Sequence, residues 1–136
     1  MEKIYSKVKE DKLLHIIVRR SDITKGRNDI VPEDNFIQCS TLNMKRDTTF
    51  RPHKHIWKER TRSVIAQESW VIIQGSVMGI FYDLDDKILK EVVLYPGDAS
   101  FTLEGGHNYY ILEEDTLVYE YKTGPYEGQL FDKTFI

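Results

Sequence analysis

The sequence predicts an all-β fold, a sandwich or barrel of short antiparallel strands, and three observations predict it. Runs rich in β-branched and aromatic residues recur at about 10-residue spacing. Turn-forming residues separate them: Gly75, Asp83-Leu84-Asp85-Asp86, Pro96-Gly97-Asp98, Gly105-Gly106 and Asp115. There is no repeat, low-complexity tract or linker, so the 136 residues read as one domain.

The elements follow in chain order. Residues 11–20, DKLLHIIVRR, suit a strand or a short helix. Residues 21–35 are polar, contain Gly26 and Pro32, and read as loop. Residues 35–44 alternate as a strand does. Residues 49–56 should be extended, because Pro52 biases Arg51 away from helix. Residues 69–74 and 76–84 read as two strands joined by a tight turn at Gly75, and 87–95 and 99–104 as two more. Strands after Gly106 and after Asp115 complete the series. The expected division is an N-terminal extension (1–35), a barrel (36–122) and a tail (123–136) packed on the barrel or on a second subunit.

Composition narrows the function classes. The one cysteine, Cys39, cannot form an intramolecular disulfide, and no base stands near it in sequence; it reads as a small buried hydrophobe in a reducing compartment. No apolar run reaches the roughly 18–20 residues of a membrane span, and none at the start resembles a signal peptide, so a cytoplasmic protein is expected. A net charge of -3 argues against a nucleic-acid partner.

The candidate chemistry lies in the histidines. His53 and His55 stand at i and i+2, which on a strand places both imidazoles on one face. Glu68 opens the strand that follows, and alternation puts Glu68, Trp70 and Ile72 together, a carboxylate above an apolar floor. His107 follows two glycines that let the backbone turn sharply. Three neutral imidazoles and a carboxylate suit Fe, Mn, Zn or Ni and leave positions open for water or substrate. Each residue taken singly also fits an ordinary surface role. Lys58, Arg60 and Arg62 alternate along the loop between His55 and Glu68, where they could hold a phosphate or remain solvated. One of Tyr109 and Tyr110 should face inward, either packing in the wall or acting as an acid beside the site. His15 has no partner nearby in sequence and reads as structural or exposed.

The order of these pieces resembles the cupin superfamily. Its first motif pairs His-x-His with a later Glu that has a Gly seven residues on, matched here by His53-Lys54-His55 and by Glu68 with Gly75. Its second motif has a Pro-Gly-Asp-like turn before a final His, matched in outline by Pro96-Gly97-Asp98 and His107. The gap from His55 to Glu68 is longer than the family's usual one; Glu59 would suit a short gap but lacks the matching Gly. Phe81-Tyr-Asp-Leu-Asp-Asp-Lys87, Tyr119-Glu-Tyr-Lys-Thr-Gly-Pro-Tyr126 and Asp132-Lys133 are similar to small WbuC-like cupins, which accompany surface-polysaccharide biosynthesis.

The resemblance implies an antiparallel jelly-roll barrel (a double-stranded β-helix) with one divalent metal on His53, His55, Glu68 and His107. It implies a small-molecule ligand such as a sugar or sugar nucleotide, for which Lys58, Arg60, Arg62 and Trp70 are the candidate contacts. Glu68, Tyr109 and Tyr110 are the catalytic candidates, and a homodimer is expected. A metal-dependent enzyme, a non-catalytic binding module and a metal-independent isomerase or epimerase all remain open.

Overall fold

A computed structural model describes residues 1–43, 45, 46, 48, 65–123, 134 and 136. Among these residues the regular structure is ten strands and one 3-10 turn, Arg20–Asp22: β1 Glu2–Tyr5, β2 Leu13–Val18, β3 Gly26–Asp29, β4 Ser40–Asn43, β5 Glu68–Gln74, β6 Val77–Tyr82, β7 Ile88–Leu94, β8 Ala99–Thr102, β9 His107–Ile111 and β10 Leu117–Lys122. Among the described residues no helix is long and apolar enough to cross a membrane. The all-β expectation holds. The expected strand at 49–56 and the loop through residue 64 lie outside the described residues, as does most of the C-terminal tail.

Among the described residues all strand pairs are antiparallel. A five-stranded sheet has the order β1-β2-β8-β5-β10, a three-stranded sheet β7-β6-β9, and β3 pairs with β4. Residues 1–35 are thus part of the structure's body. β2 is a buried strand inside the larger sheet, and even the expected loop contains the 3-10 turn and β3. The sequence LLHIIV is apolar on both faces because both faces of β2 are covered, which is why its period is ambiguous.

Those two faces carry separate cores. On the outer face, Ile16, Val18 and Phe101 pack with Ile30, Val31, Ile37 and Leu103, and Cys39 lies against them. On the inner face, Ile4, Ile17 and Ile72 meet Val77, Phe81 and Leu94 of the three-stranded sheet, joined by Trp70, Val92, Tyr109 and Val118. The second core holds the two sheets face to face.

Two buried carboxylates fasten the turns. Asp83, 1% exposed, accepts hydrogen bonds from Ser6 Oγ at 2.5 Å, the Lys7 amide at 2.6 Å and the Leu84 amide at 2.7 Å, tying the chain after β1 to the β6–β7 turn. Burial would raise its pKa, but those donors outweigh it and hold the carboxyl below the usual range. Asp98 accepts from Arg19 Nη1 at 2.6 Å and from the Arg20 and Tyr95 amides at 3.1 Å, fixing the end of β2 to the β7–β8 turn. The β5–β6 turn needs Gly75, whose φ is +76° and where a Cβ would fall 2.3 Å from Thr116 Oγ1.

Candidate functional site

Register lines up the inner face of the larger sheet in rows. His15 lies opposite Thr102, Thr102 opposite Glu68, and Glu68 opposite Lys122. The next row is Ile17, Ser100, Trp70 and Glu120. Beyond it the face becomes apolar, with Ile72 opposite Val118. In the facing sheet His107 stands opposite Phe81 and Tyr109 opposite Gly79. One end of the space between the sheets is therefore polar, although it adjoins the inner core.

At that end His107 Nε2 lies 3.0 Å from Glu68 Oε1. The same oxygen accepts a hydrogen bond from Trp70 Nε1 at 3.1 Å. Trp70 Nε1 also reaches Glu120 Oε2 at 3.2 Å. Lys122 Nζ stands 3.8 Å from Glu68 Oε2 and 3.0 Å from Glu120 Oε1. An indole N–H and an ammonium thus each span two carboxylates. Burial alone would push Glu68 up; the His107 hydrogen bond and charge, Lys122 and the Trp70 hydrogen bond together hold it below the usual carboxylate range.

Tyr109 faces inward and stacks on Trp70, with centroids 4.1 Å apart and planes 13° from parallel. Phe81 meets the Tyr109 ring edge-on at 6.2 Å. The Tyr109 hydroxyl is 2.8 Å from Ser100 Oγ, and burial pushes its pKa up, so it stays a neutral phenol. It is a packed wall residue that orients Trp70. Tyr110 points to the other face, as alternation requires, and is 67% exposed; it does not join Glu68 and His107.

His15 does have partners, far away in sequence. Its ring is buried between Thr102 Oγ1, 3.2 Å from Nδ1, and the Tyr82 carbonyl, 3.0 Å from Nε2. A carbonyl only accepts, so Nε2 carries the proton and Nδ1 accepts from the threonine. Burial is the largest influence and lowers its pKa to about 4. Gly105 completes the arrangement at φ +82°; a Cβ there would lie 2.7 Å from the Tyr82 carbonyl oxygen. This glycine lets the chain pass beneath β6 and deliver His107 two residues later.

Of the four expected metal ligands, Glu68 and His107 come together. His53 and His55 lie outside the described residues, as do Glu59, Lys58, Arg60 and Arg62. Among the described residues no group of three or more His, Cys, Asp or Glu side chains is placed to hold an ion. Trp70 sits at the site, with its N–H committed to the two carboxylates. Cys39 is half-buried in the outer core, away from these residues, and burial raises its pKa, as suits an inert thiol. A separate cavity of about 210 Å³ opens beside the outer core, lined by Lys12, Asp34, Asn35, Gln67 and Glu104 among others. Its buried carboxamide, Gln67, is occupied by the Ile37 amide, Asn35 and the Leu103 carbonyl.

No family model, curated protein or solved structure matches this chain.

Glu120 and Lys122 are the site residues that sequence reasoning missed. In LVYEYK an alternating strand must bury either the tyrosines or the charges, and apolar preference selects the tyrosines. The structure leaves both tyrosines exposed and turns Glu120 and Lys122 to the side of Trp70 and Glu68, where Lys122 is half-buried and Glu120 still reaches solvent.

Proposed function

We propose that this chain is a metal-binding cupin, a closed antiparallel jelly-roll barrel that holds one divalent ion on His53, His55, Glu68 and His107. Its ligand is a small polar metabolite such as a sugar or sugar nucleotide. The observation that supports this reading is the meeting of Glu68 and His107, 39 residues apart, at 3.0 Å between the two sheets. Glu68 and His107 would supply one oxygen and one nitrogen donor to such an ion. That donor chemistry suits Fe, Mn, Zn or Ni.

When bound, the ion would polarise a carbonyl or lower the pKa of a water. The protein's own residues have defined tasks beside it. Trp70 holds Glu68 Oε1, Tyr109 fixes the plane of Trp70, and Lys122 balances the carboxylates. The ring wall of Trp70, Tyr109 and Phe81 keeps one side of the site dry.

A second reading draws on the same contact. Carboxylate and imidazole within hydrogen-bonding distance also form an acid–base dyad, as a metal-independent isomerase or epimerase would require. Elemental analysis of the purified protein beside a His53→Ala/His107→Ala variant separates the two. The metal reading expects about one ion per chain, lost in the double variant; equal metal content in both proteins removes the site. Activity that persists in chelator selects the dyad.

A further inference from the structure

The row of the larger sheet that holds Glu68 contains two buried polar residues behind it. His15 and Thr102, 0% and 3% exposed, lie opposite each other, and Thr102 lies opposite Glu68. Leucine and valine would fill such positions without needing partners. A polar pair here requires that its donors and acceptors be matched.

The matching has one direction, set by a backbone carbonyl. The Tyr82 carbonyl can only accept, so His15 Nε2 donates to it at 3.0 Å and Nδ1 is left as an acceptor. The Thr102 hydroxyl, 3.2 Å from Nδ1, commits its single proton there. Its oxygen can then only accept. The Tyr109 hydroxyl also hydrogen-bonds Thr102, and so it is the donor in that contact. With the phenol proton in use, Ser100 Oγ donates to the phenol oxygen at 2.8 Å. Phe81, fully buried, lies against both rings, 5.0 Å from His15 and 6.2 Å from Tyr109.

We propose that His15 is a positioning residue for Glu68: its fixed tautomer aims the hydroxyls of Thr102 and Tyr109, which sets the Tyr109 ring against Trp70 and the indole N–H on the carboxylate. The inference rests on the metal-site reading only for the use to which Glu68 is put. Tyr109 stacks on Trp70 with centroids 4.1 Å apart, and Trp70 Nε1 donates to Glu68 Oε1 at 3.1 Å. Stacking alone lets two rings slide in plane. Hydroxyl partners on the phenol oxygen remove that freedom, and a buried, matched network makes the arrangement rigid. The same commitment removes Tyr109 as a proton donor to a ligand, since its proton lies on Thr102.

A chain of contacts acts as a unit only if its members are non-additive. The test measures solvent exchange of the Trp70 indole N–H by NMR in the full chain, for wild type, His15→Leu, Thr102→Val, the double variant and Thr102→Ser. The Ile17 amide in the apolar core is the reference for general loosening. His15→Leu and Thr102→Val should each speed indole exchange about tenfold relative to that amide, as the loss of one hydrogen bond would. The double variant should exchange no faster than either single one, and Thr102→Ser, which keeps the hydroxyl, should match wild type. Unchanged indole exchange, effects that multiply, equal acceleration of the Ile17 amide, or Thr102→Ser behaving as Thr102→Val would overturn the proposal. Wild type alone gives a further check that needs no variant to fold. The nitrogen-15 signals of the His15 ring should place the proton on Nε2, and a proton on Nδ1 would overturn the proposal. Elemental analysis of wild type decides the metal reading separately: protein without an ion defeats that reading, while indole exchange still decides the role of His15.

Discussion

At one end of the space between the sheets Ile72, Val77, Leu94 and Val118 pack together; a few residues away on β5 and β10 are Glu68, Glu120 and Lys122, with His107 facing them. The same strands build both ends, so the backbone is not what distinguishes them. The apolar end is close-packed and holds the sheets together by removing area from water. The polar end is assembled from charges that gain little as ion pairs where they remain partly solvated. The first serves stability and the second is the candidate site, and substitutions should separate the two.

The largest effect belongs to the packed end. Phe81 is fully buried and touches both regions, lying 5.0 Å from the His15 ring and 6.2 Å from that of Tyr109. Phe81→Ala should cost about 3–5 kcal/mol in urea denaturation. A loss below about 1 kcal/mol would mean that the sheets are not packed through this ring.

The next effect is a pH dependence from the row behind the site. His15 has its pKa lowered to about 4 in the fold, against 6.5 ordinarily. Between these values the unfolded chain binds a proton that the native protein refuses. Stability should therefore fall as pH drops from 6.5 to 4, by about 3 kcal/mol from this group. Glu68 acts in a lower window. Its charged form is favoured in the fold, so its contribution is complete above the ordinary carboxylate range and is lost as pH falls below it. Denaturation midpoints of wild type and His15→Leu across pH 4–7 separate the two. The variant should lose the upper part of the slope, and equal slopes would contradict the buried neutral imidazole.

Glu68→Gln should show the opposite balance from Phe81→Ala. It keeps an oxygen that can accept from Trp70, so stability should change by only about 1 kcal/mol. Bound metal, measured by elemental analysis, should be lost. A variant that retains its metal would move the functional end elsewhere. The smallest effect is expected at Tyr110, exposed on the far face of β9. Tyr110→Ala should stay within about 0.5 kcal/mol of wild type and leave metal content untouched.

The contrast between the two ends also explains what was legible beforehand. Alternation and turn residues located β5 through β10, because Gly75, Pro96-Gly97-Asp98 and Gly105 do in the fold what their chemistry allows. β1 was missed because four residues carry too little pattern. β3 was missed because its GRND sequence is polar and strand-poor, and its pairing with β4 is a tertiary choice. Glu68 and His107 were visible as a spaced pair. The partners of His15 were not, since Thr102 and Tyr82 lie 87 and 67 residues away. Glu120 and Lys122 were hidden for a different reason: their strand follows the alternation rule with the faces exchanged, and only register against Trp70 and Glu68 shows which face is inside.

The most direct test follows the imidazole and indole signals of the full chain by NMR while Mn²⁺ is added below one equivalent. The His107 ring and the Trp70 N–H resonances should broaden first, ahead of the Lys87 turn and the amide of Val8. Uniform broadening, or a first response far from these two side chains, would contradict a metal centre at the meeting point of β5 and β9.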